Sequence, residues 1–216
     1  METLPKISTS TLISTSVSAP ISLPKTTRVS GGLKDLQKLL LFDVNGFLCI
    51  KVKSDVQGSI KCSQSYNIII RPGIVEFLKK VSLRYTIGIF SSTTFNNIQT
   101  ILECLHPNYK EFISVIADRL VTSLDPDFNP NFNNDPYIKS FDTVKRLDRF
   151  LEHPLLNKDR IWNVSNVLII DHEKTKLRFN PEKNILIVKE FTYDDYINNT
   201  VDDLSLLIEK IDDKFK

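Results

Sequence analysis

Hydrophobic positions in this chain fall into two regimes, short unbroken apolar runs and longer stretches with a helical period. The runs are Leu39 to Phe42, Tyr85 to Phe90, Phe112 to Ala117, Val167 to Ile170 and Asn184 to Val188. Short apolar runs of this kind are what parallel strands buried on both faces require. Between them, Ile74, Val75, Phe77, Leu78 and Val81 recur at i, i+3, i+4 and i+7 behind Pro72, which predicts an amphipathic helix over 73–84. Ile98, Ile101, Leu102 and Leu105 mark a second helix; Val144, Leu147 and Leu151 mark a third that ends before Pro154. A fourth, over about 201–213, turns Val201, Leu204, Leu207, Ile208 and Ile211 inward, with Thr200 as its cap. Strands that alternate with helices predict an α/β fold with a mainly parallel sheet flanked by helices. After the first strand, Ile50 to Val56 and Ser59 to Ile70 read as extended segments around Gln57-Gly58, a small β-hairpin insertion.

Residues 1–34 break both patterns. They are rich in Ser and Thr, carry Pro5, Pro20 and Pro24, and hold no period, so they read as a disordered tail before a single domain at 35–216. Lys6, Lys25, Arg28 and Lys34 face only Glu2 there, and an acid-poor, Ser-rich leader also fits an organelle transit peptide. Over all 216 residues the net charge is only +2, which gives no electrostatic commitment to nucleic acid. The three cysteines form no CxxC pair and are odd in number, so neither a disulfide framework nor a zinc site is implied. No apolar run approaches membrane-spanning length. These features predict a soluble intracellular protein, nuclear or cytoplasmic.

Candidate chemistry lies where the apolar runs end. Leu39 to Phe42 runs into Asp43-Val44-Asn45-Gly46, and Val167 to Ile170 into Asp171-His172. Two strands that aim carboxylates at one C-terminal sheet edge place them where open α/β sheets bind ligands. The strand that ends at Phe90 delivers Ser91-Ser92-Thr93-Thr94 to a helix start, where Ser92 or Thr93 serves as N-cap or Ser91 and the free amides bind an anion. A long segment rich in Asn, Asp and Pro, 118–136, then precedes Tyr137-Ile138-Lys139-Ser140.

The order Asp43, Ser91, Lys139, Asp171 resembles the haloacid dehalogenase superfamily. With Arg71-Pro72-Gly73, Phe77-Leu78, Phe90-Ser91-Ser92, Tyr137-Ile138-Lys139 and Leu168 to Asp171, the chain is similar to the RNA polymerase II C-terminal-domain phosphatases and nuclear LIM-interactor-interacting-factor-like proteins over about 38–213. The resemblance implies a Rossmann-like fold and a phosphatase that acts on phosphoserine or phosphothreonine in a protein or peptide. Asp43 would be the nucleophile that forms an aspartyl-phosphate. Ser91, Ser92 and Lys139 would hold the phosphate. Magnesium would be held by Asp43, the Asn45 carbonyl, Asp171 and the His172 position.

Three departures qualify this. Asn45 stands where the family carries a general acid, which an amide cannot replace, so weak activity is implied. His172 stands where an oxygen ligand is usual, and imidazole suits transition metals better than magnesium. Phe47 replaces a threonine. Asp43-Val44-Asn45-Gly46 with Ser91-Ser92 also resembles a branch of the family that has the amide at this place. The alternative implied is an inactive phosphopeptide- or protein-binding module, like the mitochondrial import receptor of the same fold.

Overall fold

The computed structural model describes residues 38–128 and 142–216. The Ser/Thr-rich segment 1–34 and Lys139 lie outside the described residues. The first apolar run is strand β1 (Leu39–Phe42) and is followed by β2 (Cys49–Val52), β3 (Ile60–Lys61), β4 (Asn67–Ile70), helix α1 (Ile74–Ser82) and β5 (Thr86–Phe90). Helix α2 (Phe95–Leu105), β6 (Val115–Ala117) and the short ribbon of β7 (Ser123–Leu124) and β8 (Thr143–Val144) come next. The chain continues through α3 (Leu147–Glu152), β9 (Val167–Asp171), α4 (Lys174–Leu177), β10 (Ile185–Ile187), α5 (Tyr193–Ile197) and α6 (Leu204–Lys214).

The central sheet runs β10-β9-β1-β5-β6, and every neighbouring pair is parallel. Because side chains alternate across a strand, Leu40, Phe42, Ile87, Ile89, Leu168 and Ile170 face one layer, packed with α1, α2 and α6. Leu39, Leu41, Val167 and Ile169 face the other, against Leu147 and Phe150 of α3, Trp162 and Leu177. This is the expected Rossmann-like, mainly parallel α/β architecture with helices on both faces. β1 lies at its centre, between β9 and β5, with Phe42 opposite both Ile170 and Ile89. The ends of β1, β5 and β9 therefore come out side by side.

Several local expectations need correction. The insertion is a three-stranded sheet, β2-β4-β3, in which β2 pairs with β4 and not with β3. Gln57-Gly58 is a turn, but the hairpin proper joins β3 to β4. The third helix starts at Leu147, and Val144 belongs to β8. The spacing from Val144 to Leu147 mimics a helical turn, while β-branched Thr143 and Val144 pair with Leu124 and Ser123. The cap of α6 is Asp203, whose side chain accepts from the Ser205 amide. Thr200 instead bonds Asp195 through its backbone amide and its hydroxyl.

Candidate active site

Asp43 follows the last residue of β1, with its amide donating to the Ile170 carbonyl at 3.0 Å. Asp171 ends β9 in the adjacent strand. Asp43 is 8% exposed and Asp171 fully buried. Two buried carboxylates side by side demand a cation. It is Lys145, 1% exposed, whose Nζ donates to Asp43 Oδ1 at 2.6 Å and to Asp171 Oδ2 at 2.5 Å. Burial pushes the Asp43 carboxyl up, Asp171 adds to the rise, and the Lys145 charge opposes it. For Lys145, burial works against the charge, but the two carboxylates outweigh it and hold its pKa above the ordinary lysine value.

Lys145 was missed because its segment reads as the interior of a helix. In the structure it is the residue after β8, pinned on both sides. Its amide donates to the Lys176 carbonyl at 2.8 Å, its carbonyl accepts from Asn180 Nδ2 at 2.7 Å, and Asn180 Oδ1 accepts from the Leu147 amide at 2.6 Å. The signal available was a lysine directly after a β-branched pair, Thr143-Val144.

The oxygens turned away from Lys145 face His172. Its Nδ1 stands 3.8 Å from Asp43 Oδ2 and 3.5 Å from Asp171 Oδ1, and Nε2 stands 3.6 Å from Glu190 Oε1. Asp171 Oδ1 also accepts from the Glu173 amide at 2.9 Å. Nδ1 is buried and has no hydrogen-bond partner among the described residues. The donor atoms of Asp43, Asp171 and His172 lie within 4.8 Å of one another. Hard carboxylate oxygens with an unsatisfied imidazole nitrogen fit a divalent cation. Glu190 was absent from the sequence reading, since nothing along the chain links it to residue 172.

The turn after Asp43 makes room for the histidine. Gly46 has φ of 80°, and a Cβ there would lie 2.6 Å from Cε1 and 2.8 Å from Nδ1 of His172. Phe47, in place of the expected hydroxyl, is fully buried, stacked on Phe42 at 5.1 Å, with the Arg71 guanidinium 5.5 Å from its ring. The same guanidinium lies 5.8 Å from the ring of Phe191, whose amide donates to the Gly46 carbonyl at 2.7 Å. Asn45 is exposed, and its Oδ1 accepts from the Lys51 amide at 3.1 Å. The amide side chain therefore ties the turn to β2 of the insertion.

Ser91 lies just past β5 and is 3% exposed; its amide donates to the Ala117 carbonyl, and its Oγ accepts from the Thr93 amide at 3.3 Å. Ser92 Oγ accepts from Thr143 Oγ1 at 2.8 Å. Neither Ser92 nor Thr93 caps α2. Its N-cap is Thr94, without a side-chain bond, and Asp118 Oδ2 accepts from the Phe95 amide at 3.1 Å instead. Arg119 donates through Nε to the Ser92 carbonyl at 2.8 Å. Of the long segment at 118–136, the described part is anchored by Arg178, which donates to Asp125 and, at 2.8 Å, to Asp127. No helix among the described residues is long and apolar enough to cross a membrane.

Residues 38–216 match the family model of NLI interacting factor-like phosphatases. An uncharacterised FCP1 homology domain-containing protein of Schizosaccharomyces pombe is 28% identical over 159 residues, which span 72% of this chain and 62% of the relative. In fold, the chain is similar to the structure of Fcp1, an essential RNA polymerase II CTD phosphatase, with a TM-score of 0.50 at 17% identity over 74% of this chain and 44% of that one. A fission yeast Fcp1 variant bound to beryllium fluoride gives 0.49 at 16% identity, over 74% and 43% of the two chains. The chain thus spans less than two thirds of the length of each of these proteins. With a family match that begins at β1 and runs to the C-terminal residue, on the sheet order described, the chain belongs to the NLI interacting factor-like phosphatase family.

Proposed function

We propose that this protein is a phosphomonoesterase of low turnover that acts on phosphoserine or phosphothreonine in a protein segment, with Asp43 as nucleophile. The observation that carries this reading is the ion triad Asp43-Lys145-Asp171 at the head of the sheet, beside Ser91. In this reading Asp43 attacks phosphorus, the bond from phosphorus to the leaving oxygen breaks, and water then hydrolyses the aspartyl-phosphate to restore the carboxylate. Lys145 has three donors, two of them committed to carboxylates, which leaves one for a phosphoryl oxygen. Ser91 supplies a hydroxyl on the opposite flank. A divalent cation, magnesium by family resemblance, would be held by Asp43 Oδ2, Asp171 Oδ1 and the Asn45 carbonyl, with His172 facing it. Such an ion supplies Lewis-acid stabilisation of the charge on the phosphoryl oxygens.

Asn45 cannot protonate the leaving oxygen, so that proton must come from water, and the term lost is about 10²- to 10⁴-fold. Arg119, which donates to the Ser92 carbonyl, puts a positive charge beside the serine pair, which favours an anionic segment. The test is hydrolysis of a series of phenyl phosphates by the full chain, with and without divalent metal. Rates are expected to need Asp43 and to fall steeply as the leaving group becomes more basic, with a flatter dependence in Asn45→Asp. Turnover that survives Asp43→Asn would falsify the assignment. A second reading, a phosphopeptide-binding module, is favoured by the tie of Asn45 to Lys51; silence of both the native chain and Asn45→Asp, with phosphopeptide binding retained, would select it.

A further inference from the structure

We infer that the cation site is built for a transition-metal dication held through a nitrogen, His172 Nδ1, in preference to magnesium, with Glu190 as the group that orients the imidazole. The inference rests on the reading above only in taking Asp43 and Asp171 as cation ligands.

The geometry around Nδ1 is the ground for it. A protonated Nδ1 beside two carboxylate oxygens would close onto one of them at about 2.8 Å. Here it stands off both, at 3.8 and 3.5 Å, buried and without a partner among the described residues. Donors that share a tetrahedral ion at about 2.0–2.2 Å stand about 3.4 Å apart. Neighbouring donors in an octahedral magnesium shell at about 2.1 Å come to about 3.0 Å and are oxygens. The two separations from Nδ1, 3.5 and 3.8 Å, lie nearer the first arrangement than the second.

Each carboxylate can offer the ion one oxygen, because Lys145 holds the other. With the Asn45 carbonyl these make three oxygens, and Nδ1 is the nitrogen donor that faces the same place, which completes a set of four. Glu190 Oε1, 3.6 Å from Nε2, is the carboxylate placed to close on that nitrogen once Nδ1 takes the ion, which would complete a carboxylate–histidine–metal arrangement with the proton on Nε2. Glu190 is held in turn by its neighbour Phe191, bonded to Gly46, and the ring of His172 covers Gly46. The same glycine that lets the chain turn after Asp43 leaves room for the imidazole.

The experiment titrates the metal-stripped full chain with cobalt, followed by its visible absorption, and with magnesium in competition; spin-echo spectra of bound manganese report nitrogen coupling. First-row ions lead magnesium at many sites, so the decisive quantity is the cobalt-to-magnesium affinity ratio across variants. His172→Asp is expected to lower that ratio at least about tenfold and to abolish the nitrogen coupling, while Glu190→Gln, at an exposed position that leaves the fold alone, costs about tenfold in cobalt affinity with little effect on magnesium. An unchanged ratio in His172→Asp, or native protein without nitrogen coupling, overturns the inference. The two readings separate cleanly. Nitrogen-coupled metal without Asp43-dependent hydrolysis under any ion removes the phosphatase and keeps this site, whereas Asp43-dependent hydrolysis without nitrogen coupling does the reverse.

Discussion

The two carboxylates at the head of the sheet have unlike neighbours on their two sides. Toward Lys145 the contacts are short and sealed, with the lysine side chain 1% exposed and both bonds at normal or shorter distance. Toward His172 the separations are long, the ring is 15% exposed, and Glu190 beyond it is half in solvent. The same pair of acids thus has one flank electrostatically complete and one with valence to spare. A charge pair closed on itself holds a structure together, and one left open toward solvent can accept a ligand. On the proposed function, the sealed flank carries the stability and keeps one lysine donor for phosphate, and the open flank takes the cation.

The largest break of this contrast is Lys145→Met. It leaves two buried carboxylates without a counter-charge and is expected to cost about 3–5 kcal/mol at neutral pH, measured by denaturant unfolding. The loss should shrink toward acid pH, as Asp43, already raised by burial, takes up a proton. In the native chain the Lys145 pKa is raised above its unfolded value, so its contribution is complete below the ordinary lysine pKa and is lost as pH climbs through the higher folded one.

Asn45→Asp touches neither flank and sharpens the contrast by leaving stability within about 0.5 kcal/mol while aryl phosphate turnover rises about 10²- to 10⁴-fold. Gly46→Ala attacks the open flank, since its Cβ must enter the space of the His172 ring and the backbone is left-handed there. A loss of about 1–2 kcal/mol is expected, together with weaker cobalt binding, while the ion triad, read by the native sensitivity to high pH, is unaffected.

The smallest effect lies behind Glu190. Thr192 caps α5 in a reciprocal capping box with Asp195, and Thr192→Ala should cost about 1 kcal/mol. Hydrogen bonds from Lys189 first, and then from Thr192, hold the Asp195 carboxyl well below the ordinary range. Its support is therefore present above the usual aspartate pKa and lost as pH falls toward the depressed one. Hydrogen exchange at residues 189–195 in acid should rise before exchange in β1.

The strands and both aspartates were legible because an apolar run buried on two faces has one reading, and an acid at its end has few. Lys145 was not, because two β-strand residues followed by a short helix share the spacing of one longer helix. The family pattern drew attention to Lys139, which lies outside the described residues; among the described residues the buried ammonium beside Asp43 belongs to Lys145. His172 was noticed as a departure, but its role depends on which nitrogen faces what, and that is a matter of rotamer and of Gly46. Glu190 needs β10 and the segment after it to fold back past the site, and no local pattern encodes that.

Lys145 follows Asp43 by 102 residues and precedes Asp171 by 26. During synthesis β1, β5 and β6 therefore emerge well before either partner of Asp43 exists. Pairing of β1 with β9 closes one of the longest loops in the fold, and such contacts form late. Until then the head of β1 has no counter-charge and must stay hydrated, on a strand lacking its neighbour on one side. Docking of β9 supplies the neighbour, the second acid and the backbone brace for the lysine in one event. On the proposed function, chemistry at Asp43 waits on the docking of β9, and a chain stalled before that step would be silent as well as unstable.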